Sequence, residues 1–232
     1  MERGIIGLGK DCFVAMILRK LGFLRPKDTF DSLLTNDLGA FAAQIESNFD
    51  LFFTSLDNLD FYGTCRNNKR YFVQDKLSKI ISVKHWFVGS DKQECLEKFR
   101  KDYKVDYFIN RLKNSKSPLL LRTNSEETTL EEVMYLREVI EKVRGNDDFV
   151  LCIFQDAIWA EHTWDDIPSL KTFRVKGLFK PHAETYPDKP KRGMDNYDYF
   201  PHPRLHMWRP ILNYIFDELK IDNRSPFEIK IL

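Results

Sequence analysis

Residues 118–154 read PLLLRTNSEETTLEEVMYLREVIEKVRGNDDFVLCIF, and this stretch decides the fold. Leu119-Leu120-Leu121 follows Pro118 as a short apolar run, and Phe149 to Phe154 is a second. Between them, Thr128 to Arg144 carries Leu130, Val133, Met134, Ile140 and Val143 as an apolar stripe at helical spacing. Thr128 with Glu131 reads as a capping box and Gly145 as the helix stop. A strand that is apolar at successive positions is buried on both faces, as in parallel sheets covered by helices. Strand, helix and strand in this order predict a βαβ unit.

The pattern continues on both sides. Downstream, Thr172 to Leu178 reads as a strand, Leu205 to Leu219 as a helix and Phe227 to Leu232 as a terminal strand. Upstream, Lys92 to Lys116 reads as one highly charged helix carrying Leu96, Phe99, Tyr103, Phe108 and Leu112. Tyr71 to Val73 and Ile80 to Val83 read as a small hairpin or two short strands, and Thr29 to Phe53 as one or two short helices. Gly4 to Gly7, with Ile5-Ile6 between glycines, reads as a buried strand ending in a tight turn. Asp11 to Leu21 then reads as a helix, apolar on most sides and stopped by Gly22. The alternation predicts an α/β fold, three-layer, with a largely parallel sheet and helices on both faces. The expected organisation is a single domain over residues 1–232. Within it, residues 180–210 hold six of the ten prolines, three tyrosines and three histidines, and read as a long loop. Such a loop is either functional or a wrapping surface segment.

Composition bounds the chemistry. The 232 residues are 43% hydrophobic and 31% charged, with 19 Phe, 9 Tyr and 4 Trp. A net charge of +1 argues against a general nucleic-acid binder, because phosphate affinity needs a strong basic excess. Cys12, Cys65, Cys95 and Cys152 lack the close spacing of zinc ribbons or redox motifs, so reduced thiols in a cytoplasmic protein are expected. No apolar run approaches the ~20 residues of a membrane helix. Neither a membrane span nor a cofactor is expected.

The N-terminal segment Gly7-Leu8-Gly9-Lys10-Asp11-Cys12 concentrates the functional signals. A strand, a Gly-x-Gly turn and a helix bring free backbone N–H groups and the positive end of the helix dipole to one point. That suits an anion, and it lowers the pKa of a cysteine in the first helical turn. A cysteine on an apolar helix is also an ordinary small core residue, so Cys12 has both readings open. The third glycine of a dinucleotide fingerprint is missing.

Taken with Leu18-Arg19-Lys20-Leu21-Gly22 and Phe30-Asp31, this segment resembles a bacterial and viral domain-of-unknown-function family catalogued as papain-like cysteine peptidases. Its members open with a serine- or glycine-leucine-glycine turn and a cysteine. A leucine-arginine helix and a proline-phenylalanine-aspartate-tryptophan motif follow. The similarity continues at Asn48-Phe49-Asp50, around His85, at Arg111-Leu112 and at Leu121-Arg122. The resemblance implies a cysteine hydrolase acting on a peptide, with Cys12 as nucleophile, His85 as general base and Asp31 as a polar group beside them. Thr29 and Ser32 stand where the family has proline and tryptophan, and Trp86 stands where it has the aspartate after the histidine.

The α/β alternation also suits an enzyme of nucleotide-sugars, such as a glycosyltransferase, or a binding domain without catalysis. There Gly7, Gly9, Lys10 and Asp11 cradle phosphate, Lys10 or Arg122 supplies charge, and Cys12 is structural. Among weaker candidates, His202 and His206 have the spacing of a helical zinc pair, without a third ligand in obvious register. Asp195 to Asp198 has carboxylates for a hard cation but reads equally as an exposed turn. Asp156 ends the strand Phe149–Phe154, where it is either a site residue or a cap.

Overall fold

Nine residues, Lys116–Asn124, form the strand at the heart of the molecule, which is a computed structural model. The structure describes residues 3–9, 14, 30, 33–65, 70–82, 87–88, 91–103, 105–124, 128–156, 164, 166–175 and 213. In chain order the elements are β1 (Arg3–Gly7), β2 (Leu33–Leu34), α1 (Leu38–Glu46), a 3-10 turn (Leu56–Asn58), β3 (Leu59–Cys65) and β4 (Arg70–Asp75). There follow β5 (Ile81–Ser82), α2 (Lys92–Asp102), α3 (Val105–Asn114), β6 (Lys116–Asn124), α4 (Leu130–Arg144), β7 (Val150–Asp156) and β8 (Leu170–Val175).

The fold is α/β. One sheet has the order β1-β6-β7-β8 and is parallel throughout. Leu119, Leu120, Leu121, Leu151, Cys152, Ile153 and Phe154 are all buried, so both faces of this sheet are covered. That is why its two central strands read as unbroken apolar runs. On one face, Ile6, Leu120, Leu151 and Ile153 share a core cluster with Phe41 and Ile45 of α1 and Val133, Leu136 and Ile140 of α4. Pro118 sits inside β6, where it removes a ladder donor. Accordingly the β1–β6 register slips between Arg3 and Ile5, opposite Lys116 and Leu119, and Ser117 takes φ 41°.

The expected capping box lies one residue further along. Thr129, not Thr128, is the N-cap: its hydroxyl accepts from Glu132 N–H, and Glu132 reaches back to Thr129 N–H at 2.9 Å. Gly145 ends α4 in the left-handed conformation, φ 72°. The buried stripe is Val133, Leu136, Val139 and Ile140, while Leu130 is exposed.

A second, antiparallel sheet of order β2-β5-β4-β3 enters the chain between β1 and β6. The expected short strands at 71–73 and 80–83 belong to it as β4 and β5. Its longest strand, β3, and the two-residue β2 were not anticipated. The β4–β5 turn is built on Asp75, a fully buried carboxylate. It accepts from the main-chain N–H of Phe53, Leu77 and Ser78, and from Ser78 Oγ at 2.5 Å.

The charged stretch 92–116 is two helices and the start of β6 rather than one helix. Asp91 caps α2 through Gln93 and Glu94 N–H. The helix ends at Tyr103, whose ring stacks on Phe99 at 4.6 Å. Neither glycine nor proline marks this break. Phenylalanines fill the space between the two sheets, with Phe30 packed edge-on against Phe41 and Phe108 and stacked on Phe49 at 5.0 Å. One continuous core cluster links Ile6 and Leu120 of the first sheet to Val73 of the second. The expected strand at 227–232 and the loop at 180–210 lie outside the described residues. So do the helices expected at 11–21 and 205–219, apart from the helical Val14 and Asn213.

Candidate functional site

The carboxyl ends of parallel strands are where α/β proteins bind ligands, because the connecting loops and helix N-termini converge there. β1 reaches this edge at Gly7, which pairs with Leu121. Leu8 N–H continues the ladder to Leu121 O at 2.9 Å, and Gly9 then turns with φ 76°. A Cβ on Gly9 would lie 2.8 Å from Thr35 Oγ1 and 3.2 Å from Phe30 Cβ. The glycine is thus required twice, by its left-handed backbone and by the close approach of Thr35 and Phe30.

Arg122 sits beneath this turn and is fully buried. Its Nη1 donates to Leu8 O at 2.9 Å and to Thr35 Oγ1, and its Nη2 donates to Thr35 O. The guanidinium lies 5.4 Å from the centroid of the Phe41 ring. Hydrogen bonds to a charged donor are worth about 1.5–3 kcal/mol each, so this side chain rivets the end of β1 to the segment that enters α1. Arg111 of α3 adds a bond to Ile5 O at 2.9 Å.

The expected residues Gly7, Gly9 and Arg122 therefore meet at one place. Cys12, His85, Asp31, Lys10 and Asp11 lie outside the described residues, as do His202, His206 and the 195–198 turn. Two neighbours in sequence are informative. Phe30, which precedes Asp31, packs against Gly9, and Phe87, two positions after His85, is buried in the same core.

The other cysteines with described side chains make poor nucleophiles. Cys152 is buried in the parallel sheet. Cys95 is also buried and donates to Val88 O at 3.4 Å, and burial pushes its thiol pKa up.

Three polar residues at the same edge were missed. The strand register aligns Arg122 with Ile153 and Thr172, and Asn124 with Gln155 and Arg174. Gln155 therefore shares a face with Arg122, two residues nearer the carboxyl edge. Thr172 Oγ1 accepts from Trp164 N–H at 3.3 Å. Gln155 Nε2 and Thr123 Oγ1, the latter on the opposite face, are buried without a hydrogen-bond partner. Leaving such a group unpaired costs about 1–3 kcal/mol. The available signal was an amide ending an otherwise apolar run, FVLCIFQ.

Among the described residues no group of three or more His, Cys, Asp or Glu is placed to hold a metal, and no helix is long and apolar enough to cross a membrane. No family model matches the chain, and no similar curated protein or solved structure was found.

Proposed function

We propose that this chain is a cysteine-dependent hydrolase working at the carboxyl end of the parallel sheet, with Cys12 as nucleophile, His85 as general base and Asp31 as the polar group that orients them. The observation that carries this reading is the Gly9 turn, held by Arg122 and Thr35 three positions before Cys12 in the sequence. A nucleophile needs a rigid support, and a glycine turn pinned by a buried guanidinium supplies one. Phe30 against Gly9 supports the same reading, since Asp31 follows it directly. In this mechanism the thiol proton passes to His85, the thiolate attacks an acyl carbon, and main-chain N–H groups of the turn receive the oxyanion. Acyl transfer of this kind recurs on unrelated scaffolds, so a parallel α/β sheet is a suitable host.

The test is alkylation of the native protein by iodoacetamide at pH 7, read cysteine by cysteine. Cys12 should react at least about tenfold faster than Cys95 or Cys152, and His85→Ala should remove that advantage. An inert Cys12 in the folded protein would overturn the assignment.

The all-parallel order of the first sheet favours a second reading, a nucleotide-sugar site at the same edge. Gly7, Gly9, Lys10, Asp11 and Arg122 would then serve the diphosphate. Stabilisation against heat by UDP-glucose or GDP-mannose, with or without Mn²⁺ or Mg²⁺, is its signature.

A further inference from the structure

We infer that Gln155 is a substrate-recognising residue, whose side-chain amide donates a hydrogen bond to the oxygen of an acyl group bound at the carboxyl edge of the sheet. The inference rests on reading that edge as the substrate site.

Two independent observations meet in it. The first is position: the register sets Gln155 on the face of Arg122, at the last rung but one of β7, beside the edge where the Gly9 turn is fixed. The second is an unmet valence. Gln155 is 3% exposed and its Nε2 has no hydrogen-bond partner. More than nine in ten buried polar groups are satisfied in folded proteins, and each exception calls for an explanation, a role in function among them.

The other unpaired buried atoms are placed differently. Ser82 Oγ is in the antiparallel sheet and Gln44 Oε1 on α1. Arg144 Nε belongs to a guanidinium whose other nitrogens are bonded to the chain. Thr123 Oγ1 is at the same edge on the opposite face, without a framing glycine turn or buried cation on that face among the described residues.

An amide NH₂ is a neutral donor matched to a carbonyl or carboxylate oxygen. A site built around such a donor rejects ligands that lack the acceptor, because the donor is then left unpaired. Gln155 thus selects acyl compounds by the bond it withholds from everything else.

The test uses the full chain with ¹⁵N-labelled glutamine, the Gln155 side-chain signal being assigned by its loss in Gln155→Met. Acetamide, acetate and inorganic phosphate are titrated separately. A saturable shift of the Gln155 amide with acetamide or acetate is expected. Silence toward all three, or a response to phosphate alone, would overturn the acyl assignment. Gln155→Met should also raise the melting temperature by about 2–4 °C, since it removes an unpaired buried group. A lowered melting temperature would show the amide to be bonded within the fold, against the inference. Neither readout involves a thiol, so an unreactive Cys12 speaks against the hydrolase alone.

Discussion

The two ends of the parallel sheet are each built around an arginine, and they are finished differently. At the amino end, Arg144 donates to the carbonyl oxygens of Leu112, Ser115 and Asp148, and Ser117 Oγ bonds the Asp148 carboxylate at 2.5 Å. These bonds join the entries of β6 and β7. Arg144 is partly exposed, and burial lowers its pKa from the ordinary guanidinium value. At the carboxyl end, Arg122 is fully buried and bonds equally well, yet Gln155 Nε2 and Thr123 Oγ1 beside it have no hydrogen-bond partner. At the amino end the unpaired buried atom is the Nε of Arg144 itself, whose other two nitrogens are bonded. At the carboxyl end two neutral groups on other side chains hold polar capacity in reserve. Parallel α/β proteins divide stability and function between the same two ends.

The largest test of that contrast is Arg122→Ala. It strips the donor from two buried main-chain oxygens and should cost about 4 kcal/mol in urea unfolding, with loss of Cys12 reactivity. A cost under about 1 kcal/mol would dissolve the comparison. Gly9→Ala should cost about 3 kcal/mol, through backbone strain and the clash with Thr35, and should likewise abolish the reactivity. Arg144→Ala sharpens the comparison from the other side. It should lower stability by about 2 kcal/mol and leave the alkylation rate of Cys12 per folded molecule unchanged. Ser117→Ala removes one exposed bond at the same end, for about 1 kcal/mol and again no change at the site.

The smallest effect concerns pH. Glu46 of α1 accepts from Lys142 and Tyr135 of α4, and these hydrogen bonds hold its carboxyl pKa below the usual value. A depressed folded pKa contributes stability above the unfolded value of 4.5, lost as pH falls through the lower folded value. Glu46→Gln should therefore lower the neutral plateau slightly and flatten the acid limb of the melting curve below about pH 4.5.

The β6–α4–β7 unit was legible because each of its signals is local. Burial on both faces writes a continuous apolar run, and caps write hydroxyls and glycine. The one-residue error in the box arose because Thr128 and Thr129, and Glu131 and Glu132, offer the same chemistry side by side. The antiparallel sheet was less legible. β2 and β5 have two residues each, and the β3–β4 register slips between Tyr62 and Thr64, which breaks the alternation a reader looks for. The helix ends where the Tyr103 ring packs against Phe30 and Phe52 from distant parts of the chain, tertiary contacts that propensity does not record. At the site, Gly7, Gly9 and Arg122 could be named because turns and charges stand out. The burial of Arg122 could not, since its partner Thr35 lies 87 positions earlier in the chain. Gln155 does not stand out because the apolar run of β7 stops at Phe154, although the strand continues to Asp156.

The pairing of β1 with β6 also sets an order of events in time. β1 is translated before its hydrogen-bonding partner, with residues 8–115 in between. At cellular elongation rates the ribosome needs roughly 5–20 seconds to make those residues. Throughout that interval Ile5 and Ile6 have no β6 to lie against, and closing so long a connection costs about 4 kcal/mol of chain entropy. The antiparallel sheet and its phenylalanines can condense first. The Gly9 turn can be riveted only once Arg122 has left the ribosome, so the part of the molecule begun earliest is among the last to be finished.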